Sequence, residues 1–152
     1  MLHLAFQHSL AIELGPNGAD VYAKLGQTLS FAGRPDEAIE YIKKGIRLNP
    51  FPEPFYFYDL GRCYTLKEEY EKALTEYKKA LQRAPKAPWP HMFLATAYSL
   101  LDRQEDARAS VEKCLELAPF ISVGWLSKIA PFKNQADLKI LVDAMRKAGL
   151  PE

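Results

Sequence analysis

The chain has 152 residues, 48% of them apolar and 26% charged, the balance of one folded domain and not of a disordered segment. Twenty Lys and Arg against 19 Asp and Glu leave a net charge of +1, which supplies no field to draw in a polyanion. No apolar run approaches the ~20 residues of a membrane span, and two cysteines, Cys63 and Cys114, are too few for a disulfide framework or a four-ligand zinc site.

In chain order, residues 2–14 carry a helical pattern with Ala11, Leu14 and Pro16 at spacings that recur downstream, so residues 1–18 read as the second helix of a hairpin whose first helix is missing. The opening Met1–Gln7 lacks the basic stretch and cleavage site of a secretion signal, which with the lone cysteines sets the expectation of a reducing, cytoplasmic setting. Residues 19–52 then offer Tyr22, Leu25, Gly26 and Leu29 on one helix. A break follows at Ala32-Gly33-Arg34, where Gly33 suits a helix end. Pro35, Asp36 and Glu37 suit the first turn of a second helix carrying Ala38, Ile42 and Gly45.

Residues 53–87 repeat the phrase. Phe57, Leu60, Gly61 and Tyr64 fall at i, i+3, i+4 and i+7; a break is expected at Thr65-Leu66-Lys67, and Tyr70, Ala73, Leu74, Tyr77, Ala80 and Leu81 follow on a second helix. Residues 88–121 give His91, Leu94, Ala95 and Tyr98, then Ala107, Val111 and Cys114. Glu68, Glu69, Glu105 and Asp106 are expected as solvated first-turn acids, favoured by the helix dipole. Residues 122–152 read as capping helices and a tail. Ser122 to Ile129 holds Trp125 at the bulky position, and Pro131-Phe132-Lys133-Asn134 interrupts. Gln135 to Ala148 then places Leu138, Leu141, Val142 and Met145 on one face, stopped by Gly149 and Pro151.

The punctuation is periodic. Pro16, Pro50, Pro85 and Pro119 lie 34, 35 and 34 residues apart, and Gly26, Gly61 and Ala95 lie 35 and 34 apart. A period of this size marks a solenoid of stacked hairpins, in which each unit leaves an apolar face for its neighbour to cover. Small residues recur where helices cross, because a larger side chain there would push the backbones apart.

The residues resemble the tetratricopeptide repeat family. Its pattern of bulky residue, Leu, small residue and aromatic, then Ala, aromatic, Ala and Pro, is met by Phe57, Leu60, Gly61, Tyr64, Ala73, Tyr77, Ala80 and Pro85. Tyr22, Leu25, Gly26, Leu29, Ala38, Ile42, Gly45 and Pro50 depart from it at a few positions, as do His91, Leu94, Ala95, Tyr98, Ala107, Val111, Cys114 and Pro119. The resemblance implies an all-α, right-handed superhelical solenoid of antiparallel helix hairpins that serves as a protein–protein interaction scaffold. A narrower likeness, in Phe132–Leu138, Arg146–Glu152 and Pro54–Tyr58 with Leu60-Gly61-Arg62, is to repeat regions that follow bacterial class III adenylate or guanylate cyclase domains. It implies a C-terminal regulatory module of a larger signalling enzyme as the alternative.

In this family the concave surface is lined by first-helix residues outside the packing pattern. Carried onto this chain, the groove residues are Lys24, Gln27, Phe55, Tyr58, Asp59, Arg62, Trp89, Met92, Phe93 and Thr96. The family's carboxylate clamp is absent, because Ala23, Gln27, Trp89 and Phe93 stand where Lys, Asn, Lys and Arg would grip a peptide terminus. What remains is an aromatic groove with Lys24, Asp59 and Arg62 as polar handles, suited to an apolar peptide, a helix or a neighbouring domain. Each of Phe55, Tyr58, Trp89 and Phe93 either lines that groove or packs between hairpins.

No catalytic constellation, cofactor motif or metal spacing is read: His3 and His8 are five apart, and no phosphate loop or nucleophile elbow is present. Asp20, Asp59 and the near-zero charge argue against nucleic acid. Exposed repeat ends leave a homo-oligomer open.

Overall fold

The computed structural model describes residues 18–152, and the helix expected within residues 1–18 lies outside them. The described residues form eight α-helices and no strand: α1 Ala19–Phe31, α2 Pro35–Leu48, α3 Pro54–Leu66, α4 Tyr70–Arg83, α5 Pro88–Leu100, α6 Gln104–Leu117, α7 Val123–Ile129 and α8 Gln135–Ala148. Consecutive helices α1–α2, α3–α4 and α5–α6 pair as hairpins, and each second helix packs on the first helix of the next unit. The result is an all-α solenoid.

The hairpin turns share one construction. Arg34 N–H reaches Leu29 O at 2.9 Å and Gly33 N–H reaches Ser30 O at 3.1 Å. Glu69 and Glu68 do the same to Tyr64 and Thr65, and Arg103 and Asp102 to Tyr98 and Ser99. This paired bonding satisfies carbonyls left free at a helix end and needs one left-handed residue. Gly33 supplies it at φ 77°, whereas Glu68 (φ 61°) and Asp102 (φ 58°) adopt it without glycine's freedom. Two expectations are corrected here. Helix α3 runs on through Thr65 and Leu66, with Thr65 Oγ1 donating to Gly61 O at 3.0 Å, so the break falls at residues 67–69. Glu68 is therefore the turn residue and not a first-turn acid.

The small residues sit at crossings. A Cβ on Gly61 would lie 2.2 Å from the Tyr77 ring, one on Gly26 would lie 2.4 Å from Ile42, and one on Gly45 would lie 2.8 Å from Ala19 O. In the third unit Ala95 replaces the glycine and Val111, smaller than Tyr77 or Ile42, stands at the position in phase with them; both are buried in the same core.

Two apolar cores result. Leu25, Leu29, Ile42, Leu60 and Tyr77 anchor the first, and Met92, Val111, Leu126, Val142 and Met145 anchor the second. Helix α8 does more than cap the stack. Its packing is most extensive against α5, the first helix of the third hairpin, and exceeds its packing on α7. Gly149 (φ 102°) ends it, and the tail returns so that Val123 N–H donates to Pro151 O at 2.8 Å.

Candidate functional site

The inner face is built from α1, α3 and α5, and its two ends are made differently. Toward the first hairpin it is polar. Asp59, 1% exposed, accepts from Arg62 Nη1 at 2.8 Å and from Gln27 Nε2 at 3.0 Å. Arg62 Nη1 also donates to Ser30 Oγ at 2.9 Å, and the guanidinium lies 3.9 Å from the centroid of the Phe31 ring. Burial pushes the Asp59 carboxyl above its ordinary value, opposed by the Arg62 charge and the Gln27 bond. Asp59 and Arg62, expected as open handles, are thus engaged with each other. Lys24 is exposed, and its ammonium has no ion-pair partner among the described residues.

Aromatic residues run from α3 to α5. Phe93 sits 5.0 Å from Tyr58 and stacks on Tyr77 at 5.3 Å. Tyr58 is half-buried, which pushes its phenol up to about 12, and its hydroxyl makes no hydrogen bond among the described residues. Phe55 packs edge-on to Tyr56 at 4.6 Å, and the Tyr56 hydroxyl donates to Asp20. Trp89 stacks on Trp125 at 5.8 Å, which in turn meets Phe120 edge-on. Of the two readings left open for these rings, neither excludes the other: Tyr58, Phe93 and Trp89 each pack against a ring of another element, and all four, Phe55 included, stay partly open to solvent.

The third-hairpin end is covered. Met92 (4% exposed) and Thr96 (1%) lie beneath α8, with Thr96 Oγ1 within 3.1 Å of both Met92 O and Met145 Sδ. Their expected place on an open groove is corrected: the chain's own C-terminal helix occupies it. Lys147 fixes the helix to the turn after α5 by bonding Ser99 O and Asp102. Before α8, the segment from Pro131 to Asn134 forms a strap that reaches α1. Phe132 meets the Phe31 ring edge-on at 5.0 Å, and Lys133 N–H donates to Phe31 O at 2.9 Å.

Between strap and inner face lies a cavity of about 180 Å³, walled mainly by Phe31, Trp89, Phe93, Ile129, Phe132 and Leu141. A shallower groove lined by Gln27, Thr28, Ala32 and Lys133 adjoins it, sharing Phe31 and Pro131. Sequence reasoning missed the strap and the cavity. One signal was available: Ile140 is apolar but off the Leu138–Met145 stripe, so α8 has more than one face to cover.

Chemistry elsewhere is quiet. Cys63 and Cys114 are buried, which pushes their thiols up to about 12 and about 11, away from nucleophilic thiolate. Among the described residues no cluster of His, Cys, Asp and Glu could hold a metal, and no helix is long and apolar enough to cross a membrane.

The class this fold and face define is a helical-repeat solenoid. The tetratricopeptide repeat family matches residues 19–52, 54–87 and 91–120, and the chain belongs to that family. A curated relative, the UDP-N-acetylglucosamine–peptide N-acetylglucosaminyltransferase of Giardia intestinalis, is 37% identical over 83 residues. That match takes in 54% of this chain and only 6% of the relative. Among solved structures, the crystal structure of MamA superposes with a TM-score of 0.71 at 21% identity, over 95% of this chain and 84% of that one. PcrH, solved in complex with the chaperone-binding region of PopB, superposes at 0.64 and 19% identity, over 86% and 93%. At these identities the structures establish the fold.

Proposed function

We propose that the chain is a protein-interaction scaffold that takes a peptide or helix of a partner along the open end of its inner face. The observation that carries this is the set of unspent groups around Tyr58. A half-buried ring and the ammonium of Lys24, neither with a hydrogen-bond or ion-pair partner among the described residues, stand on the same face as the partly open Phe55. Aromatic and cationic side chains left unsatisfied on a rigid scaffold are the usual anchors of binding energy. PcrH, a neighbour solved in complex with the chaperone-binding region of PopB, supports a protein segment as the kind of ligand.

The test is affinity capture with the immobilised chain, read by mass spectrometry. A Tyr58→Ala, Lys24→Glu double variant with unchanged helical circular dichroism and melting should lose at least tenfold of the captured partner. Equal capture by the folded variant would dispose of this face as the binding surface.

The regulatory-module reading keeps one supporting observation: the cyclase-like phrase Phe132–Leu138 begins in the strap across the inner face and runs into the first turn of α8. An immunoblot for the native mass in source cells separates the two. A band near 17 kDa favours a free-standing adaptor, and a much larger one favours a module of a bigger protein.

A further inference from the structure

The cavity under the strap asks for a ligand of narrow description. An apolar cavity of about 150 Å³ is large enough to hold benzene, and this one measures about 180 Å³. Its wall is almost wholly apolar, with Arg62, Thr65, Thr96 and Asp137 as the few polar or charged residues among aromatic and aliphatic ones. Arg62 Nη1 is bound to Asp59 and Ser30, Thr65 Oγ1 lies 3.2 Å from the Tyr77 hydroxyl, Thr96 bonds Met92 O, and Asp137 accepts from Asn134 at 3.5 Å. An apolar group entering there loses no hydration, whereas a strongly polar one gives up its water against a mostly apolar wall. Four of its walls are the rings of Phe31, Trp89, Phe93 and Phe132, surroundings in which another ring packs well.

The adjoining groove indicates where such a ring comes from. Gln27 spends its amide N–H₂ on Asp59, which leaves its carbonyl free, and Thr28 Oγ1 donates to Lys24 O, which leaves its oxygen able to accept. The Lys133 ammonium has no partner among the described residues. Acceptors and a donor spaced along a shallow groove that also holds Phe31, Ala32 and Pro131 suit a peptide backbone, and a free hydrocarbon has no use for them.

We propose that the cavity between the strap and the inner face receives one aromatic side chain, of phenylalanine size, from a partner peptide whose backbone lies along the Gln27–Thr28–Lys133 groove. This rests on the peptide-binding reading above and names the anchor it requires.

Methyl-resolved NMR on the full chain tests it, with acetyl-Ala-Phe-Ala-amide, acetyl-Ala-Ala-Ala-amide and toluene as probes. The Phe peptide should shift the methyls of Ile129, Ile140 and Leu141 and bind at least tenfold tighter than the Ala peptide. Filling the cavity by Leu141→Phe, or by Ile140→Phe if the first variant does not fold, should remove that preference and leave the α2 methyls unmoved. Shifts with toluene but not with the Phe peptide would make this a site for free small molecules and overturn the peptide assignment. Silence with both probes, or equal binding of the two peptides, would overturn it outright. The Tyr58 and Lys24 variants judge the open end independently, so the anchor can fail while the scaffold reading stands.

Discussion

The first two hairpins and the third place different chemistry at corresponding positions of the inner face. Lys24 and Gln27 in α1 are in phase with Asp59 and Arg62 in α3 and with Phe93 and Thr96 in α5. Across α1 and α3, Gln27, Asp59 and Arg62 satisfy one another, while Lys24 has no ion-pair partner among the described residues. In α5 the corresponding surface is apolar and cannot close on itself, so α8 is laid over Met92 and Thr96 with Met145 fully buried. The backbone repeats while the side chains decide how a surface is closed. A polar inner face can pair its own groups; an apolar one must find a cover, and here the chain carries it.

The largest effect expected from testing this contrast concerns the crossings, which the two ends of the stack build differently. Gly61→Ala puts a methyl 2.2 Å from the Tyr77 ring and should cost about 1–3 kcal/mol, because the ring is fully enclosed and has little room to retreat. Ala95→Gly, at the matching place in α5, removes a methyl from a helix interior and should cost only about 0.5–1 kcal/mol. Urea unfolding of both variants checks the ranking. A Gly61→Ala protein as stable as the parent would show that this crossing can open.

Acidification separates the two ends by sign. Lys147 holds the Asp102 carboxyl below its ordinary value, so the stability that pair gives is present above the unfolded value and is lost as pH falls through the lowered one. Asp59 is raised by burial, so its contribution is present below its unfolded value and is lost as pH rises through the folded one. Hydrogen exchange, corrected for intrinsic rates, should therefore show α8 loosening from α5 on acidification while the α1–α3 contact does not loosen with it. Asp102→Asn should flatten the α8 response. An α8 response unchanged in that variant would place the titrating group elsewhere, at the Glu152 carboxyl, which its bond to Arg146 of α8 holds below its ordinary value.

Much of this architecture was legible in the prolines and glycines. Their spacing reports where chains turn and where backbones touch, both of which depend on local geometry and recur with the repeat. The left-handed turns were legible at Gly33 alone, because Glu68 and Asp102 carry no sign in their composition that they take φ above zero. The Asp59–Arg62 pair was visible as an i, i+3 spacing, but its burial depends on Ser30 and Gln27 from another helix, and no local pattern encodes that. The strap was hidden for the same reason. Pro131–Asn134 reads as an interruption within its own segment, and its purpose appears only when Phe132 meets Phe31, about a hundred residues earlier in the chain.

The smallest effect belongs to the turns and sharpens the same comparison. A non-glycine residue in the left-handed region costs about 1–2 kcal/mol, and glycine costs about 0.5–1 kcal/mol in added unfolded-state freedom. Glu68→Gly should therefore stabilise by a few tenths to about 1 kcal/mol. Asp102→Gly relieves the same backbone strain but deletes the carboxylate that holds Lys147, so its gain should be smaller than that of Glu68→Gly. Thermal melts of the two variants side by side read the difference. Equal gains would mean that the Lys147–Asp102 ion pair contributes nothing measurable, as exposed ion pairs often do, and that α8 is held over α5 by its apolar face and the remaining Lys147 bond to Ser99 O.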